Sequence, residues 1–92
     1  MEHLSIKEIH DRLEELNGWE MTGREIVKEF SFESFKEAME FVRKIGEEAE
    51  RENHFPDILI KYNKVTIAST THSIGGLTYK DFKLAKIIEQ LV

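Results

Sequence analysis

The stretch from Ser34 to Thr70, SFKEAMEFVRKIGEEAERENHFPDILIKYNKVTIAST, contains one helix, one enforced break and two strands, and its reading decides the fold. Ser34 and Glu37 have the spacing of a capping box, in which each side chain satisfies a backbone N–H of the other's segment. Phe35, Ala38, Val42, Ile45 and Ala49 then trace one helical face, while Arg43, Lys44, Glu47 and Glu48 fall elsewhere. The helix must stop near Asn53, because Pro56 holds Phe55 in extended conformations and has no backbone N–H of its own. Ile58 to Tyr62 and Val65 to Thr70 are rich in β-branched and aromatic residues, which predicts two strands joined by a tight turn at Asn63-Lys64.

Upstream, Ser5 and Glu8 repeat the capping-box spacing, and Ile6, Ile9, Leu13 and Leu16 give an amphipathic helix from Ile6 to Leu16, ending at Asn17-Gly18. Trp19 to Met21 and Arg24 to Phe32 read as a hairpin around a Thr22-Gly23 turn, with Ile26, Phe30 and Phe32 on one face and Trp19 in the core. Downstream of the Gly75-Gly76 turn, Thr78 caps a third helix whose buried stripe is Leu84, Ala85, Ile88 and Leu91. The order is helix, hairpin, helix, hairpin, helix. Hairpins favour antiparallel pairing and each helix has one stripe to bury, so the class is α+β, with the helices packed on one face of the sheet. Phe41, Phe82, Ile87 and Val92 lie off the main stripes, and either a wide stripe or an oligomer interface explains them.

The chain has 92 residues, 40% hydrophobic and 34% charged, which is one domain's worth and neither disordered nor membrane-spanning in character. A single domain over residues 1–92 is expected. The N-terminal MEHLSIKEIH has no apolar signal core, so a cytoplasmic location is expected. With no cysteine, disulfides, thiolate metal sites and thiol nucleophiles are excluded. A net charge of −5 disfavours a broad phosphate-tracking surface, hence direct nucleic-acid binding.

Of four histidines, His54 and His72 sit at element ends beside the second predicted hairpin, where segments converge on pockets. His3 and His10 read as solvated, the first at a frayed terminus and the second off its helix's stripe. His54 and His72 with Glu50 or Asp57 supply at most three ligands in no compact metal pattern, so no metal is expected. The Ser and Thr residues of STTHS lack a G-x-S-x-G elbow, and Gly75-Gly76 lacks either phosphate-loop pattern. Asp81, three residues beyond Thr78, has a capping reading that competes with any role in a site.

Glu50, His54 four residues on, Pro56, Tyr62, His72 and Asp81 together resemble the signature of the pterin-4a-carbinolamine dehydratases. YNKV at Tyr62 to Val65, THSIGGLT at Thr71 to Thr78, Gly18-Trp19 and the F-x-F-x-x-F run from Phe30 to Phe35 extend the resemblance over nearly the whole chain. It implies a four-stranded antiparallel sheet with three helices on one side, and association into homodimers or homotetramers through helices, towards which it tips Phe41, Phe82 and Ile87.

The activity it implies is dehydration of a 4a-hydroxytetrahydropterin, such as 4a-hydroxytetrahydrobiopterin, to the quinonoid dihydropterin. Hydroxide leaves poorly, so the C4a oxygen needs a proton while N5 loses one, and histidine suits both transfers without metal or organic cofactor. By resemblance His54 and His72 are the proton-transfer residues, Glu50 an orienting carboxylate, and Asn53, Phe55, Thr70, Thr71, Ser73 and Asp81 surround the pterin. The family's His-His-Pro reads His54-Phe55-Pro56 here. Phenylalanine packs on a pterin but moves no proton. The alternative to the lyase is therefore a weak or inactive pterin-binding or protein-dimerisation module with the same fold.

Overall fold

The computed structural model describes residues 2–92, in the order α1 (Ile6–Glu14), β1 (Glu20–Thr22), β2 (Glu25–Ser31), α2 (Phe35–Glu52), β3 (Asp57–Lys61), β4 (Lys64–Ser69) and α3 (Tyr79–Glu89). The strands form one antiparallel sheet in the order β1-β2-β4-β3, so the two hairpins are joined by β2 pairing with β4. Alternation fixes which face is buried. Ile26 and Phe30 on β2 and Val65, Ile67 and Ser69 on β4 all point to the helical layer and are buried, whereas Glu29, Lys64 and Leu59 are exposed. No helix among the described residues is long and apolar enough to cross a membrane.

All three helices begin at the expected caps. Ser5 and Glu8 satisfy each other's backbone N–H, Ser34 Oγ accepts from Glu37 N at 3.1 Å, and Thr78 with Asp81 forms a second complete capping box. Helix α1 stops at Glu14, two residues before the predicted end, because the chain tightens there: Leu16 N donates to Leu13 O, an i→i−3 bond.

On α2 the buried residues are Ala38, Phe41, Ile45 and Ala49. Phe41 was expected off the stripe. It lies 4.9 Å from both Phe30 and Phe32, ring centre to ring centre, and so belongs to the core, as does the fully buried Phe82 of α3. Phe35 is instead half exposed. At 100° per residue it lies about 75° from the centre of the buried stripe, beyond the helix's line of contact with the sheet. Ile87 is partly buried and Val92 is exposed. Trp19 is core as expected, 6.0 Å from Phe30 in an edge arrangement.

Both tight turns differ by one residue from expectation. Thr22 pairs with Glu25, so the first loop is Gly23-Arg24, with Gly23 at φ +63°. Lys61 pairs with Lys64, so the second is Tyr62-Asn63. Asn63 is committed elsewhere: its Nδ2 donates to Phe32 O at 2.8 Å and its own carbonyl accepts from Phe32 N at 2.9 Å. The left-handed position falls on exposed Tyr62, at φ +52°.

Candidate functional site

The site lies where α2 ends, β4 ends and α3 begins. Asn53 terminates α2 in the left-handed conformation, φ 52° and ψ 43°, which asparagine tolerates better than most residues. His54 N then donates back to Ala49 O at 3.1 Å. This reversal leaves the His54 imidazole buried against the first turn of α3. There His54 Nε2 lies 2.6 Å from Asp81 Oδ1.

Asp81 is fully buried, and its carboxylate is the hub of the site. Oδ1 accepts from His54 Nε2 and from Ser69 Oγ at 2.7 Å. Oδ2 accepts from Thr71 Oγ1 at 2.8 Å and from Thr78 N at 3.0 Å. The Thr78 hydroxyl, 2.8 Å from Thr71 Oγ1, continues the network. A buried charge without such partners would cost several kcal/mol, on the order of the penalty for stranding one ion. Here four donors meet it. The capping role expected of Asp81 is therefore real, and the same side chain also orients His54.

Because Nε2 faces Asp81, Nδ1 is the nitrogen left for a ligand, and it has no protein partner among the described residues. Above it opens a hollow of about 310 Å³ lined by Asn53, His54, Phe55, Thr70, Thr71, His72, Ser73 and Lys80. Asn53, Phe55, Thr70, Thr71 and Ser73 line it together with both histidines, whereas Asp81, fully buried behind His54, does not reach it. His72 is exposed, on a turn held by Thr71 N donating to Gly76 O at 3.0 Å and Gly75 N to His72 O at 3.2 Å. Thr70 Oγ1 donates to Arg24 O at 2.6 Å, fixing the end of β4 to the first hairpin.

Two expectations fare differently. Glu50 is exposed and does not line the hollow, because one turn of α2 before the Asn53 reversal points it away. His3 is not merely solvated: its Nε2 lies 2.6 Å from Ile74 O, on the far side of the loop carrying His72. Ser69 and Lys80 were not foreseen. Ser69 had a signal, a hydroxyl where the alternation Val65, Ile67 calls for an apolar residue. Among the described residues no three of His, Asp and Glu are grouped to hold a metal ion. A larger hollow of about 500 Å³ lies where the end of α1 meets β2 and α3. Its charges are already engaged, Lys28 with Glu89 and Lys86 with Glu15 at 3.0 Å.

Fold and site together define a small α+β domain with a polar, histidine-lined hollow at one end of its sheet. Residues 2–91 match the family model described as pterin 4 alpha carbinolamine dehydratase. A protein of Sulfurisphaera tokodaii is 45% identical over 92 residues, covering 100% of this chain and 99% of its own. One of a Cyanothece strain is 50% identical over 88 residues, covering 96% and 91%. Both carry the name "Putative pterin-4-alpha-carbinolamine dehydratase". A crystal structure titled transcriptional coactivator/pterin dehydratase, from Brucella melitensis, superposes with a TM-score of 0.94 at 30% identity and covers 97% of both chains. The chain belongs to the pterin 4 alpha carbinolamine dehydratase family.

Proposed function

We propose that this protein removes water from a 4a-hydroxytetrahydropterin, such as 4a-hydroxytetrahydrobiopterin, with His54 and His72 as the proton-transfer residues. The observation that carries the reading is that both imidazoles, from distant stretches of chain, line one hollow, with a buried carboxylate behind His54. Dehydration breaks the C4a–O bond and the N5–H bond. The leaving oxygen takes a proton and departs as water, and the N5 proton passes to a base. Asp81 holds Nε2 of His54 and leaves Nδ1 facing the hollow, which makes His54, through Nδ1, the acceptor of the N5 proton. His72, open to solvent, donates to the oxygen and exchanges protons with water between turnovers. Asn53, Phe55, Thr70, Thr71 and Ser73 supply a flat apolar wall and polar groups for the pterin's edge.

One observation favours the second reading, a pterin-binding or dimerisation module of little activity. Phe55, half exposed on the rim of the hollow, stands where the family pattern has a proton-active side chain. A stopped assay with freshly generated carbinolamine separates the two, since a rate no faster than the uncatalysed one leaves only the module. We also read the chain as a homodimer or homotetramer, supported by the exposed Phe35 and Met39 of α2, which sedimentation tests.

A further inference from the structure

We infer that Ser69 is a positioning residue that fixes, through Asp81, the orientation in which His54 presents Nδ1 to the hollow; the inference rests on His54 being the base of the proposed dehydration. The inward face of β4 reads Val65, Ile67, Ser69, all essentially buried, and a third apolar side chain there would extend the core. A hydroxyl in that position must find an acceptor. Its acceptor is Asp81 Oδ1, the same oxygen that receives His54 Nε2.

With Thr71 Oγ1 and Thr78 N on Oδ2, the carboxylate has four donors, which matches its acceptor capacity. Two consequences follow from that count. The carboxylate plane is pinned from β4, from the following loop and from its own helix, so the His54 ring is held with Nε2 protonated and Nδ1 open to the hollow. Ser69 also shares Oδ1 with His54, so without its hydroxyl the carboxylate is free to turn and the ring turns with it.

The remaining charged groups near His54 do not offer the same control. His72 and Lys80 face it across the hollow, from the loop and from α3. Glu50 and Asp57, its neighbours on α2 and β3, are exposed, and Glu52 is paired with Lys83 of α3 at 3.1 Å. None of these is hydrogen-bonded to Asp81 among the described residues.

The test compares Ser69→Ala and Ser69→Thr with the native protein by two readouts, the low-field proton resonance of His54 Nε2–H and the separate kcat and KM of dehydratase turnover. Removing the hydroxyl leaves His54 as the sole donor to Oδ1. The resonance should move downfield, and kcat should fall about fivefold with KM little changed, as a ring held less firmly meets the substrate in poorer geometry. Threonine, which keeps the hydroxyl, should restore both. A folded Ser69→Ala protein with resonance and kcat unmoved overturns the inference, because a purely structural serine would alter stability alone. If the native protein shows no turnover while the resonance still moves, the role of Ser69 stands and the dehydratase reading fails.

Discussion

His54 and Asp81, 27 residues apart in sequence, are joined by a 2.6 Å contact between Nε2 and Oδ1 in the buried seam of α2 and α3. One residue thereby performs two tasks. Asp81 closes the capping box of α3 and fixes which nitrogen of His54 meets the hollow.

Asp81→Asn therefore damages both tasks. The amide cannot accept from all four donors, and its own N–H groups would face donors. Unfolding in urea should show a loss of about 2–4 kcal/mol. Turnover should fall about 100-fold or more with the loss of an oriented base. A variant with native stability and native turnover would show that the buried network is incidental.

The two histidines should separate in a stability measurement. His72 is exposed on a turn, so His72→Ala should change unfolding free energy by no more than about 0.5 kcal/mol. His54→Ala strips a donor from a buried carboxylate and should cost about 1–3 kcal/mol. Equal effects would contradict the placement of the two rings.

Phe55→His should raise dehydratase turnover, because the rim of the hollow regains a group able to move protons. Phe55 is half exposed, so folding should be unaffected. Unchanged turnover in the folded variant would mean that phenylalanine is no handicap at this position.

Acid should loosen α1 through Glu8. The Ser5 backbone N–H, 2.9 Å from Glu8 Oε1, and then the Ser5 hydroxyl hold this carboxyl below the ordinary glutamate value of 4.5. A carboxyl depressed by folding stabilises the fold fully above its unfolded value, and that contribution is lost as pH falls through the lower folded value. Helicity and thermal midpoint followed from neutral pH to about pH 3 should show this loss, and Glu8→Gln should reduce it. An identical acid response in the variant would remove the capping box from the explanation.

Much of the fold was legible because its signals are local. Capping pairs at Ser5, Ser34 and Thr78 fix helix starts, Pro56 enforces a break, and alternation at Val65 and Ile67 fixes the buried face. What escaped depends on contacts between segments. The turn at Tyr62-Asn63 is set by Asn63 holding Phe32, and Phe41 is core because Phe30 and Phe32 face it across the layers. At the site, His54 and His72 could be proposed from their positions at element ends. The resemblance put Asp81 in the same site as His54 but not in contact with it, since spacing along the chain does not show that the end of α2 meets the first turn of α3. The resemblance likewise carried Glu50 into the site, whereas the left-handed turn at Asn53 leaves it outside.

Turnover of freshly generated 4a-hydroxytetrahydrobiopterin by the native protein, beside His54→Ala and His72→Ala, tests the proton-transfer proposal most directly. Water loss well above the uncatalysed rate is expected from the native chain, with a fall of about 100-fold or more in each variant. A native rate equal to the uncatalysed one, or variants as fast as the native protein, would contradict it.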